Sequence, residues 1–201
     1  EQTLPKILSK KGYATGHFGK WHLGNVDGRL PTDQGFDEWY GISDTTDESL
    51  WPSQPDFDPD VAHIAHIKEG KKGQPSREVK VYDLSTRPEI DMEITDKAIG
   101  FIERSAAENT PFYAYVPYTL VHYPTFPSAE FPGRTGNGHW AHCLAQMNHS
   151  VGRFLDSLAR LGLVPNTTVA FTSHHGAEPS TLHQLRTHRP TPRTTLPPRG
   201  G

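Results

Sequence analysis

Apolar residues recur at three- and four-residue intervals in three parts of the chain. Leu4, Ile7 and Leu8 predict a short helix over residues 4–11, stopped by Gly12. Ile94, Ala98, Phe101 and Ile102 predict a second, entered through Thr95 as N-cap with Asp96 in its first turn. The longest stripe joins Trp140, Leu144, Met147, Val151, Phe154, Leu155, Leu158 and Leu161, and predicts a helix over residues 139–161 that Gly162 ends. Asn148 falls beside Leu144 and Val151, where it reads as a buried polar contact. Compact aromatic and β-branched runs predict strands at residues 13–18, at 112–116 after Pro111, and at 167–172 with Val169 and Phe171. From residue 24 to about 90, Asp, Gly, Pro and aromatics are scattered without a period, which predicts a long loop-rich excursion.

Helices alternating with strands predict the α/β class, with a parallel sheet covered by helices. Composition adds limits. The 201 residues carry 20 Lys and Arg against 23 Asp and Glu, a balance that excludes a nucleic-acid-coating protein. Apolar residues make up 34%, beside 18 Gly and 18 Pro, so the core is small and the connections are long. No apolar run approaches the roughly 18 residues of a membrane span. A single cysteine, Cys143, allows no internal disulfide and sits on the long helix as a buried thiol. Residues 179–201 contain no aromatic or acidic residue and form a Pro- and Arg-rich tail, predicted to be irregular.

Chemistry gathers where the predicted strands end. Lys20 and His22 follow the first, His122 the second, and His174 and His175 the third. In open α/β sheets ligands bind beyond the carboxyl ends of the strands. If the strands are neighbours, an ammonium and several imidazoles meet in one crevice, a receptor for a compact oxyanion or for a metal. A unit charge pair at ~4 Å is worth about 4 kcal/mol at an effective dielectric near 20. Imidazole adds a proton relay near neutral pH.

Residues Gly12-Tyr13-Ala14-Thr15-Gly16-His17-Phe18-Gly19-Lys20-Trp21-His22-Leu23-Gly24 closely resemble the second signature of the sulfatase family. Gly35-Phe36-Asp37 with Tyr40-Gly41 resembles the segment that follows it, and Pro111 through Pro117 with His122-Tyr123-Pro124 is similar to the family's strand and histidine turn. Val151-Gly152, and Phe171-Thr172-Ser173 before Gly176-Ala177-Glu178, fit the same order over residues 3–178, so residues 1–178 read as a partial sulfatase catalytic domain. The resemblance implies a three-layer α/β/α sandwich of the alkaline phosphatase-like type, here incomplete. It also implies an arylsulfatase-like sulfuric ester hydrolase with a formylglycine nucleophile and a calcium ion. Lys20 and His22 would then hold the nucleophile and the sulfate oxygens, and His122 would contact the sulfate and protonate the leaving oxygen. His174 and His175 occupy metal-ligand positions. The substrate would be a small-molecule or glycan sulfate ester, and family habit implies a periplasmic, secreted or lysosomal location.

The sequence also departs from the family. The motif Cys or Ser-x-Pro-Ser/Ala-Arg that becomes formylglycine does not occur, nor does the Asp-Asp calcium pair. In the matched order both belong before Glu1, so the chain is expected to lack an N-terminal part and to be inactive alone. Pro197 to Gly201 resembles the stretch before a second active-site lysine. His174 stands where the family has Asp, and calcium prefers oxygen ligands. Two alternatives stay open: a catalytically inactive homologue that binds anions or sulfated glycans, and a phosphoesterase of the same superfamily.

Overall fold

The computed structural model describes residues 2–131, 133 and 136–173. Residues 1–170 form one compact unit, and residue 171 begins another. The first unit is built on a five-stranded sheet. Helix α1 (Leu4–Ser9) leads into β1 (Ala14–Lys20), followed by β2 (Glu38–Ile42), β3 (His66–Lys71) and β4 (Arg77–Val81). Helix α2 (Ile90–Ala107), β5 (Phe112–Tyr115) and α3 (Gly138–Arg160) complete it. The strand order is β4-β3-β2-β1-β5, with β1 central and parallel to β2 and β5. Strands β3 and β4 run antiparallel as a hairpin, so the sheet is mixed where a parallel one was expected.

The stretch expected as loops thus contains three strands. Four of the five residues of β2 are buried. Trp39 and Tyr40, on opposite faces, are 2% and 4% exposed. A strand covered on both faces has no polar side to alternate with, so it shows no period-two pattern. The hairpin is hidden for the opposite reason: Lys68, Glu69, Lys71, Arg77, Glu78 and Lys80 make it charged. That composition suits an edge that must not recruit another strand.

The two faces of the sheet are covered differently. Ala14, Gly16 and Phe18 face α2, where the Phe18 and Phe101 rings lie 5.5 Å apart. Ile42, Ile67, Tyr82, Ile90, Ile94, Ala98, Ile102 and Leu158 complete this core. Thr15 and His17 face the other way. There Thr15 Oγ1 donates to the Gly35 carbonyl at 2.9 Å, and His17 is buried among the rings of Trp21, Phe36, Trp39 and Tyr115. Helix α1 joins that side through Thr3, whose hydroxyl donates to the Gln34 carbonyl at 2.5 Å.

Several expectations need correction. Helix α2 starts at Ile90, not Thr95. Thr95 is buried inside it, its hydroxyl donating to the Asp91 carbonyl at 2.7 Å. The first turn was hidden because Asp91 looks like a surface residue, yet it is 1% exposed and paired with Arg87. In α3 the N-terminal half buries His142, Cys143, Gln146 and Ser150, while Trp140, Leu144 and Met147 are only partly covered. Asn148 is exposed rather than buried, since the buried stripe runs along the neighbouring face. Residues 167–172 form no strand, and Val169 and Phe171 stay 54% and 65% exposed. Alternating apolar residues become a strand only where a neighbouring backbone supplies ladder hydrogen bonds, and none does here. Among the described residues no helix is long and apolar enough to cross a membrane.

Candidate functional site

Because β1, β2 and β5 are parallel, their carboxyl ends share one edge of the sheet. The chain leaves β1 there wedged between its neighbours. Lys20 N–H donates to the Pro117 carbonyl at 2.9 Å, past the end of β5. Trp21 N–H donates to Ile42 O, at the end of β2, and His22 N–H to Ser43 O, just past it, both at 2.9 Å. Two glycines permit this approach. A Cβ on Gly19 (φ +141°) would stand 2.0 Å from the Pro117 oxygen, and one on Gly41 (φ +151°) would stand 1.9 Å from the Gly19 oxygen. His22 then turns out of the strand with a left-handed φ of 53°, which exposes its ring. A non-glycine residue held there is strained, and such strain is common at binding sites.

Lys20 is half-buried, and burial holds its ammonium below the usual lysine range against the pull of Asp47 and Glu48. Those carboxylates sit on the 3-10 turn Thr46–Ser53 that follows β2. Burial, then Asp44 and Asp47, push the Glu48 carboxyl up to about 7, while Lys68 and Lys20 pull the other way. Asn25 Nδ2 donates to Asp44 Oδ2 at 2.7 Å, which ties the loop after His22 to the loop after β2.

His122 lies on the turn that follows β5, with an exposed ring. Its Nδ1 is 2.7 Å from the Tyr123 carbonyl oxygen. A carbonyl only accepts, so Nδ1 carries the proton and Nε2 is left facing outward without a partner among the described residues. Lys20 and His22 on one strand end and His122 beyond the next therefore occupy the same edge of the sheet. No hydrogen bond or ring contact joins their side chains directly. His174 and His175 lie outside the described residues.

Among the described residues no three His, Cys, Asp or Glu side chains form a metal-holding group. At His174 and His175 the donors offered are imidazole nitrogens, which do not suit a hard cation that takes six to eight oxygens. The described residues therefore do not by themselves make a calcium shell. Cys143 is fully buried, its thiol pushed up to about 12 by burial, and it is no nucleophile.

A groove of about 760 Å³ runs between α2 and the amino-terminal half of β2. Its charged groups satisfy one another: Glu69 with Lys97 and Arg77, Glu38 with Arg104. It lies away from the carboxyl ends of the parallel strands, and of its lining charges Lys71 has no ion-pair partner among the described residues.

Residues 1–197 match the family model described as Sulfatase. The chain belongs to the sulfatase family. It is 30% identical over 181 residues to N-acetylgalactosamine-6-sulfatase of Mus musculus, covering 88% of this chain and 33% of that one. Against arylsulfatase A of Bos taurus it is 29% identical over 186 residues, covering 89% and 36%. The PsFucS1 sulfatase from Pseudoalteromonas sp. shares the fold, with a TM-score of 0.77 at 22% identity, over 83% of this chain and 36% of that one. This sulfatase-family chain thus spans about a third of the length of the curated relatives it matches. The resemblance read from residues 12–24 and 31–41 is borne out. Within the fold, sequence reasoning passed over Glu48, and also Arg87 and Asp91 beneath the His122 turn. No periodic signal marks an acid on a 3-10 turn or a charged pair at a helix start.

Proposed function

We propose that the carboxyl edge of β1, β2 and β5 is the sulfate-binding part of a sulfuric ester hydrolase site. Lys20 neutralises the sulfate oxygens, His22 donates a hydrogen bond to them, and His122 presents Nε2 to the ester oxygen. In the hydrolysis a nucleophile bonds to sulfur as the S–O bond to the leaving oxygen breaks. The part of His122 is to give that oxygen the proton of Nε2 while Nδ1 stays fixed on the Tyr123 carbonyl. The observation that carries this reading is the wedging of Lys20, Trp21 and His22 between Pro117 and Ser43, which puts both clusters on one edge. The name of the N-acetylgalactosamine-6-sulfatase relative points to a carbohydrate sulfate ester as substrate class. Family membership implies calcium and formylglycine as well. No step here runs through either, because the residues described do not make a calcium shell.

The chain by itself is a binder rather than a catalyst, since it contains no formylglycine motif and its one thiol is buried. Titration calorimetry with 4-nitrophenyl sulfate and with 4-nitrophenyl phosphate tests the reading. Removing a charge-assisted contact worth about 1.5–3 kcal/mol weakens binding by roughly 10- to 100-fold. Lys20→Ala and His122→Ala are each expected to do so for the sulfate. Equal affinity of the wild type and both variants would overturn the assignment, and tighter binding of the phosphate would favour a phosphoesterase.

A further inference from the structure

The turn that carries His122 is gripped from inside the molecule. Arg87, on the turn that leads into α2, and Asp91, in the first turn of that helix, are 0% and 1% exposed. Asp91 Oδ1 accepts the Thr119 backbone N–H at 2.7 Å, and Oδ2 accepts the Thr119 hydroxyl. Arg87 Nη1 donates to Thr119 Oγ1 at 2.9 Å and lies 3.4 Å from Asp91 Oδ2. Arg87 Nη2 donates to the His122 carbonyl at 3.1 Å. His122 N–H closes the turn by donating to the Thr119 carbonyl at 3.0 Å. One buried ion pair therefore holds both ends of residues 119–122. The same segment is tied to Lys20 two residues earlier, through the Pro117 carbonyl.

Stability alone does not account for the pair. Burying a guanidinium and a carboxylate costs several kcal/mol each, and an apolar pair of equal volume commonly does as well. Arg87 Nε, moreover, is buried with no acceptor. What the pair adds is direction: a forked donor and a two-oxygen acceptor fix a turn in one geometry, which apolar packing does not.

We propose that Arg87 and Asp91 are positioning residues that fix the His122 imidazole relative to Lys20 at the sulfate site. The proposal rests on the reading of that site given above. It assigns to the start of α2 a role in the chemistry at the end of β5, although neither charged side chain reaches the ligand.

The test is a double-mutant cycle on the full chain, with inorganic sulfate as ligand and calorimetry as readout. Arg87→Lys keeps the charge beside Asp91 but has no fork with which to hold Thr119 and His122 together. It is expected to weaken sulfate binding about tenfold when His122 is present, and to have no further effect in the His122→Ala background. A loss of equal size in both backgrounds overturns the proposal, since it would mean a general effect on charge or stability. If His122→Ala leaves sulfate affinity unchanged, the site reading itself fails. Should Arg87→Lys not fold, Thr119→Val and Thr119→Ser replace it. The serine variant keeps the hydroxyl and is expected to bind as the wild type does, while the valine variant loses binding only when His122 is present. Serine and valine variants that bind equally well overturn the proposal.

Discussion

Two buried ionisable side chains, His17 and Glu48, make opposite contributions to the pH dependence of stability. His17 is fully buried, and burial holds its imidazole down at about 3. The unfolded chain takes up a proton there below about 6.5 and the fold does not, so stability falls as pH drops through that window. His17→Phe should remove this slope, raising stability relative to the wild type by on the order of 3 kcal/mol at pH 3. Urea unfolding at pH 7 and pH 3 checks this; an equal loss of stability between the two pH values in both proteins would contradict it. Glu48 acts in the other direction. The fold keeps its proton up to about pH 7, whereas the unfolded chain releases it near 4.5, so its contribution is lost as pH rises between those values. Glu48→Gln mimics the protonated acid. It should be more stable than the wild type by roughly 1–2 kcal/mol at pH 8 and no different at pH 4.5, read from thermal unfolding.

Elements meet most closely at the carboxyl edge of β1. Gly19 and Gly41 are paired across the β1–β2 ladder, and each lets a neighbouring carbonyl come where a Cβ would otherwise be. Gly19→Ala would force Pro117 away and, with it, the turn bearing His122. The expected cost is about 3 kcal/mol or more, measured by denaturant unfolding, with sulfate binding lost even where the variant stays folded. A variant with unchanged stability and binding would show that the close approach is not required. The same scale explains what patterns reveal. Helix α3 was legible from the three- and four-residue spacing of its apolar residues, and strands β1 and β5 from their aromatic and β-branched runs, whereas β2 was not, because Trp39 and Tyr40 are buried on opposite faces. The start of α2 was missed for an electrostatic reason: Asp91 is tolerated in the interior only because Arg87 and Thr119 pair with it.

At the scale of the whole molecule, binding and turnover separate. The chain is expected to show no hydrolysis of an aryl sulfate ester with or without added calcium in a steady-state assay. Its described residues contain no exposed thiol and no group fit for that ion. Metal-dependent turnover by the 201-residue chain would refute this.

The sequence by itself determined the family and the α/β class, because a long signature is a local property that survives without its surroundings; it also named Lys20, His22 and His122, whose roles are those proposed above. It also placed Cys143 on the long helix as a buried thiol, as the fold has it. Only the tertiary structure decided that the sheet is mixed, that residues 167–172 do not join it, and that Glu48, Arg87 and Asp91 stand around the candidate site. Strand pairing and the burial of charge depend on which distant segments arrive as neighbours, and no periodicity along the chain encodes that.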